Sequence, residues 1–573
     1  MNATNAPASP AIRICPRNIP ERALAALSAA GLPLLLARLF AARGVPDAAC
    51  LDLSLKALLP PTALSGASEA AQLLADAIEA GARMVIVADY DCDGATACAV
   101  GIRALRAFGA DAHYLVPDRA TLGYGLTPAM VELAARLEPE LLITVDNGIA
   151  SIEGIATARA CGMTTLITDH HLPGETLPEA DVIVNPNQPG CNFPSKSLAG
   201  VGVMFYVMLA LRTELRARGA FEGGREPNLA DLLDLVALGT VADVVKLDHN
   251  NRILVAQGLQ RIQAGRMQPG LRALFSVSGR DIVKANAFDL GFALGPRLNA
   301  AGRIANMELG IECLIADDPG HALELARELD GLNRERREIE TGMQEEARQI
   351  LENFDVEARA GVVLFAPDWH SGIVGLVASR VREKLHRPTI AFACGQDGEL
   401  KGSGRSIPGL HLRDALELVA RRESSLILRF GGHAMAAGLT IREEKLPAFR
   451  AAFEEVAANL LDPADLRRRI DTDGSLTPAD IRLETARLLE KEVWGQGFPA
   501  PLFDNVFRVE RQRILKDCHL KLELSLGGTK FEAIRFNCAE RVPDIIRAVY
   551  RLDINEYKGL LNVQLMLEYF EEI

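Results

Sequence analysis

Residues 84–94, MVIVADYDCDG, place an unbroken apolar run directly ahead of three alternating carboxylates, Asp89, Asp91 and Asp93. The run 84–88 reads as a strand buried on both faces, the mark of a parallel sheet. Two further segments repeat the arrangement. LLITVDNG (141–148) carries Asp146, and LITDHH (166–171) carries Asp169, His170 and His171. In open α/β sheets ligands bind beyond the carboxyl ends of the strands. Carboxylates gathered there repel one another unless cations neutralise them, so the pattern points to metal.

Working outward, helices at 73–80, 96–108, 128–136 and 152–160 alternate with strands at 84–88, 112–116, 141–145, 165–168 and 182–184. This repetition predicts an α/β, doubly wound parallel-sheet domain. Residues 1–60 read as a helical preface ending at Pro60-Pro61. A further helix, 231–238, opens the acidic motif GTVADVV (239–245) with Asp243. Residues 321–354 form one long charged helix whose stripe of Leu325, Leu329, Leu332, Ile339, Met343 and Ile350 reads as a solvated linker with one packed face. A second αβ domain follows, with strands at 361–365 and 389–393 and a helix at 372–384. The end of the chain turns to extended segments at 507–515, 520–526, 530–536 and 561–568, which predict a small OB-like β-barrel. The domains expected are 1–60, 61–315, 316–356, 357–460 and 461–573.

At 573 residues the chain exceeds a single core. Hydrophobic content of 49% and charged content of 24% are ordinary globular values. The 10 Cys form no Cys-x-x-Cys pair, so neither a zinc ribbon nor a disulfide framework is suggested, which fits a reduced, cytoplasmic setting. An apolar N-terminal stretch, 23–42, is interrupted by Pro33 and Arg38 and reads as helices rather than a signal peptide. No uninterrupted apolar run approaches the roughly twenty residues that span a bilayer, so no membrane association is expected. The net charge of −13 argues against coating nucleic acid by bulk electrostatics, while leaving room for a local basic channel.

The first acidic motif resembles the opening of an EF-hand loop, but the twelfth position is Val100 and a strand precedes it. A strand-end loop presenting alternate carboxylates on one side is the remaining reading. Asp146 alone can equally cap the next helix. The adjacent His170 and His171 can also be a satisfied buried pair, which is the lesser alternative. A mixed Asp and His set suits Mn²⁺ or Mg²⁺. Two such ions close together activate a water and clamp a phosphoryl group for in-line displacement.

Taken in order, VADYDCDG, VDNG, TDHH and GTVADVV resemble the DHH phosphoesterase superfamily over residues 84–250. The resemblance implies two Mn²⁺ or Mg²⁺ ions held by Asp91, Asp93, Asp146, His170 and Asp243. It places His171 near the reacting phosphate, Asp89 in the same catalytic motif and Asp169 as the residue orienting the His pair. FAPDWHSGIVGLVASR (365–380), KGSGRS (401–406) and GGHAMAAGLTI (431–441) resemble the DHH-associated domain. Ser403 and Arg405 offer a hydroxyl and a planar cation for a terminal phosphate. A loop of Gly431, Gly432 and Gly438 around His433 lets backbone approach it. Arg119, Arg297 and Arg303 are further basic candidates.

The order of domains resembles the superfamily's single-strand-specific 5′→3′ DNA exonucleases, which act in repair and recombination. That implies single-stranded DNA with a 5′ end as substrate, a monomer, and a single-stranded-DNA-binding protein and a helicase as collaborators. Lys516, Lys521, Arg535 and Lys558 are expected strand contacts on the barrel. One departure is Cys92, where a small residue such as Ala is expected. The rival readings are a relative acting on short RNA or cyclic dinucleotides, which needs no barrel, and a non-catalytic scaffold, which needs no metal ligands.

Overall fold

The computed structural model describes residues 12–117, 125–352, 359–423, 425–557 and 559–573. Arg119 and Lys558 lie outside them. The chain divides into two compact units, one of Arg17–Asn333 with Thr472–Ile573, the other centred on Arg334–Asp471.

The first unit is built on a five-stranded sheet: β1 (Arg83–Ala88), β2 (Asp111–Leu115), β3 (Leu141–Val145), β4 (Thr164–Thr168) and β5 (Val182–Val184). All pairings are parallel, in the order β2-β1-β3-β4-β5, the flavodoxin-like doubly wound order. The apolar strand sequences follow from burial on both faces. Met84, Ile86 and Ala88 join the main core with α1 (Cys92–Ala107), α2 (Gly200–Ala217) and α3 (Leu233–Ala242). Val85 and Val87 face the other way, onto Met130, Val131, Ile155 and Ala158 of helices Pro128–Ala135 and Ile152–Ala160. The strand order reverses between β1 and β3, so their carboxyl ends flank the switch-point crevice where such sheets bind ligands.

The N-terminal region contains helices Glu21–Ala29 and Leu34–Ala41, as expected. It also contains a strand that the helical reading missed: Arg13–Pro16 pairs with Arg469–Thr472. That partner is remote in sequence, and four residues carry no periodicity of their own.

The closed five-stranded barrel belongs to the first unit. Its strands, numbered after the five of the other unit, are β11 (Phe503–Leu515), β12 (His519–Leu526), β13 (Thr529–Arg535), β14 (Ile545–Tyr557) and β15 (Leu560–Glu572). Their order is β11-β12-β13-β15-β14, closed by a short parallel contact of Ala533 with Leu565. Strand β14 is absent from the sequence expectation. Its charged residues Arg547, Arg551, Asp553 and Glu556 mask the buried Ile546, Ala548, Val549 and Tyr550. Between barrel and sheet domain, Arg252 lies buried with its guanidinium 4.0 Å from the Phe498 ring centroid, and Arg43 binds both oxygens of Asp473.

Ahead of the long helix lies α4 (Gly295–Ile304). The long helix itself, α5 (Pro319–Glu352), passes through Gly342 without a break. It is less solvated than its charge suggests. Asp330, Asn333 and Glu340 are buried beside the apolar stripe, and Glu340 is bonded by Arg336 at 2.6 Å, Gln344 at 2.9 Å and Arg380 at 3.2 Å.

The second unit holds the mixed sheet of β6 (Val362–Phe365), β7 (Thr389–Cys394), β8 (Glu399–Arg405), β9 (Arg429–Gly432) and β10 (Ala436–Arg442). Only β6 and β7 run parallel, and the order is β9-β10-β8-β7-β6. Its core of Ile390, Phe392, Leu412, Leu416, Phe449 and Phe453 is separate from that of the first unit.

Candidate metal centre and phosphate shelf

Three strands of the first sheet, β1, β3 and β4, run directly into an acidic residue whose N–H bonds the end of the neighbouring strand. Asp89 N donates to Val145 O, Asp146 N to Thr168 O, and Asp169 N to Val184 O, so three carboxylates stand in a row at the carboxyl edge. Asp146 adopts φ +61° and, across the crevice, Val244 beside Asp243 adopts φ +62°. A β-branched residue in that region is strained, and such strain gathers at functional sites.

His170 brings the segments together. Its Nε2 lies 3.1 Å from Asp146 Oδ1, 3.5 Å from Asp243 Oδ2 and 3.9 Å from Asp93 Oδ2. Three overlapping sets, Asp93–His170–Asp243, Asp146–His170–His171 and Asp89–Asp91–Asp146, each place ligand atoms within 4.8 Å of one another. Burial first, then neighbouring carboxylates, pushes Asp89, Asp146 and Asp243 well above their ordinary values and Asp93 up to about 7. Asp146 Oδ1 is buried and accepts no hydrogen bond. Oxygen and imidazole donors with uncompensated negative charge fit hard divalent cations. Cys92 does not compete for them: its thiol is buried and pushed up by desolvation and by Asp91 and Asp93, so it fills space as a small residue would.

The protein orients these groups from behind. Asp91 caps α1, accepting from Asp93 N at 2.9 Å and Gly94 N at 3.0 Å. Asp93 receives Gly200 N on Oδ2 at 2.7 Å and Val201 N on Oδ1 at 2.9 Å, so the N-terminus of α2 points its dipole at it. Asp169 accepts from His171 Nδ1 at 2.8 Å. Burial alone would lower the His171 pKa, but this bond and the surrounding carboxylates carry it up to about 9.

Sequence reasoning missed three positioning residues. A methyl group on Gly200 would fall 2.5 Å from Asp146 Oδ1, so only glycine permits that approach. Asn299 accepts from Cys92 N at 2.8 Å and fixes the acidic loop from α4. Gly375 is the third. The small-residue run LAGVGV (198–203) ahead of an apolar helix was the available signal for Gly200.

In the second unit, GGHAMAAG is a β-hairpin rather than the expected loop, with His433 N donating to Ala436 O across its turn. Gly431, Gly438 and Ser403 are in register on three adjacent strands, and space above Gly431 is open. Arg405 donates to Ser403 Oγ at 3.0 Å, and a methyl group on Gly375 would lie 2.8 Å from that oxygen. The row is a backbone shelf with a hydroxyl and a guanidinium at one end, suited to a phosphate. Gly432 sits at φ +144°, and His433 is exposed.

The other basic candidates differ in placement. Arg297 is 8% exposed and binds Asp330 at 2.9 Å and Ala293 O at 2.6 Å, bracing α4 against α5. Arg303 is half-buried in the last turn of α4. On the barrel, Lys521 pairs with Glu532, Arg535 lies over Phe570, and Lys516 sits in the turn before β12 at φ +49°.

Residues 83–240 match the DHH family N-terminal domain, 359–459 the DHHA1 domain and 472–569 the RecJ OB domain. The chain is 50% identical to the single-stranded-DNA-specific exonuclease RecJ of Escherichia coli K12 over 553 residues, 94% of this chain and 96% of that protein. The crystal structure of RecJ from Thermus thermophilus in complex with Mn²⁺ superposes with a TM-score of 0.83 at 31% identity, covering 98% of this chain and 80% of that one. The Mg²⁺ complex of the same protein gives a TM-score of 0.77 at 30% identity, over 98% and 79%.

Proposed function

Because the chain belongs to the RecJ family of single-stranded-DNA-specific exonucleases, we propose that it hydrolyses single-stranded DNA from the 5′ end to 5′-mononucleotides, in DNA repair and recombination. The observation that carries the chemistry is His170, whose Nε2 draws Asp93, Asp146 and Asp243 from three separate segments to one point.

Asp91, Asp93, Asp146, His170 and Asp243 would hold two Mn²⁺ or Mg²⁺ ions. Bound there, such ions make water nucleophilic at neutral pH and offset the charge of the phosphate. The chain's own groups do the rest. The α2 N-terminus keeps Asp93 aimed inward. Asp169 accepts Nδ1–H and helps raise the His171 pKa to about 9, so the ring is held as the imidazolium, whose Nε2–H can be given to a phosphate or leaving oxygen. Asp89, buried beside them, supports the acidic loop through its bond from Tyr90 N.

Polarity comes from holding the terminal phosphate. Ser403, Arg405, Gly431, Gly432 and His433 form the shelf for it; Arg303 and Arg119 are kept as candidate substrate-binding cations. Arg297 serves by bracing α4, since its guanidinium is engaged with Asp330. The barrel holds strand away from the chemistry, with Lys516, Lys521 and Arg535 on it and Lys558 as a further candidate contact. An enzyme of short RNA or cyclic dinucleotides would leave that barrel without a task.

We infer further that the enzyme acts as a monomer in the cytoplasm beside a single-stranded-DNA-binding protein and a helicase, because its substrate must first be unwound. Among the described residues no helix is long and apolar enough to cross a membrane.

Purified full-length protein with Mn²⁺ should degrade single-stranded DNA, and Asp146→Ala or His170→Ala should abolish this. Persistence of nucleolysis in both variants, or its absence in the parent, would refute the proposal.

A further inference from the structure

Aromatic side chains make up only 5% of this chain, and few of those described are exposed. Phe288 and Phe292 are not. They are 52% and 66% exposed and stack on each other, with ring centroids 4.6 Å apart and planes inclined by 21°. Among the described residues only Phe536 joins them as an exposed phenylalanine. A single apolar side chain in solvent needs no explanation, but a stacked pair leaves a sizeable ring surface wet.

The local backbone is unusual. A short helix Ala287–Asp289, closed by a capping box from Asn286, runs into the π-helical turn Leu290–Leu294 and then into α4. Leu290, Ala293 and Leu294 pack inward, while Phe288 and Phe292 point out. π-turns are rare and occur frequently at functional sites.

This turn sits directly on the end of α3. A methyl group on Gly291 would lie 3.2 Å from Val241 Cγ1, and one on Gly295 would lie 3.1 Å from Ala242 Cβ. The next residue is Asp243 of the metal centre, followed by the strained and exposed Val244. On its other side the segment is tied to the barrel, where Lys284 Nζ lies 2.9 Å from Glu556 Oε2 in β14. The rings therefore lie along the chain between a barrel of the strand-binding class and the centre, within one compact unit.

The chemistry of the patch favours a base over a phosphate. Arg280 and Lys284, the cations of the segment leading into the patch, are paired with Asp289 at 3.5 Å and with Glu556, so the patch offers a π-face rather than a charge. Every base carries a π-face, which makes such stacking tolerant of sequence.

We propose that Phe288 and Phe292 are substrate-positioning residues that stack an unpaired base of the DNA strand and hold it in register with the metal centre. The proposal rests on the nuclease reading and adds a base-dependent contact to it.

The test uses full-length protein and two fluorescent oligonucleotides of equal length, one natural and one with abasic residues throughout its interior. Binding is read by anisotropy in EDTA, where no turnover occurs, and KM and kcat are then read with Mn²⁺. The double variant Phe288→Ala/Phe292→Ala should bind the natural strand about tenfold more weakly, with the loss carried by KM. It should match the parent protein on the abasic strand. Phe288→Tyr/Phe292→Tyr should restore binding, which separates stacking from damage to the fold. Parental affinity of the double alanine variant for the natural strand, or an equal loss on both strands, would overturn the proposal. Failure of the parent protein to digest either strand would instead refute the nuclease reading, and the anisotropy comparison would still decide whether the rings bind bases.

Discussion

Asp169 holds His171 by side chain and main chain together: its Oδ1 lies 2.8 Å from His171 Nδ1 and 3.1 Å from His171 N. The same carboxylate takes Ile149 N on Oδ2 at 2.9 Å, so neither oxygen is left to a cation. Burial would raise the Asp169 pKa, yet the His171 bond carries it below the ordinary value. Asp169→Asn should therefore lower catalytic rate by about 10- to 100-fold. In NMR titration of the metal-free protein the His171 pKa should fall from about 9 toward the ordinary 6.5. An unchanged titration would mean that Asp169 does not set the state of His171.

The acidic cluster makes metal-free protein sensitive to base. Asp89, Asp93, Asp146 and Asp243 have raised values in the fold, Asp93 reaching about 7 against an ordinary 3.8. The folded state thus keeps protons that the unfolded chain releases, and stability falls as pH rises from about 4 through about 7. His171 acts in the same direction: its contribution is complete below pH 6.5 and is lost as pH rises through about 9. In EDTA, Tm should be several degrees lower at about pH 8 than at about pH 5, and Mn²⁺ should raise it more at the higher pH. A metal-induced shift equal at both would show that the carboxylates do not bind the ion.

Gly200 is the tightest fit behind the centre. Gly200→Ala drives a methyl group to 2.5 Å from Asp146 Oδ1 and 2.7 Å from its Cγ. Overpacking of this kind costs about 1–3 kcal/mol. Displacing a ligand should also weaken Mn²⁺ binding by at least about tenfold. Isothermal titration with Mn²⁺ reads the second effect, and undiminished affinity would remove Gly200 from the site.

The shelf of the second unit is expected to read the strand's end. A hydrogen bond to a charged group is worth about 1.5–3 kcal/mol. Arg405→Ala should therefore cost about 10- to 100-fold in kcat/KM on a 5′-phosphorylated strand and much less on a 5′-hydroxyl strand. Ser403→Ala should show a smaller version of the same preference. Equal losses on both substrates would place the terminal phosphate elsewhere.

Much of this was legible in the sequence because burial on two faces leaves continuous apolar strands, and the carboxylates follow each one directly. Asp89, Asp146 and Asp169 stand in one row for that reason. Groups whose role depends on a distant neighbour were not legible. Gly200 and Gly375 matter only for what approaches them, and Asn299 acts through the Cys92 N–H some two hundred residues away. Arg297 has the composition of a phosphate ligand, but Asp330 in the long helix claims it. The glycines of GGHAMAAG suggested a loop, whereas pairing of β9 with β10 and of β10 with β8 makes them strand. Strand β14 was hidden by its charged residues, and Arg13–Pro16 by the distance to its partner.

Digestion of single-stranded DNA labelled at either end, with Mn²⁺ and the full-length chain, bears most directly on the whole account. The 5′ label should appear in mononucleotide from the earliest time points, while the 3′ label stays in progressively shorter oligomers. Early release of the 3′ label as mononucleotide, or internal fragments from both substrates, would contradict it.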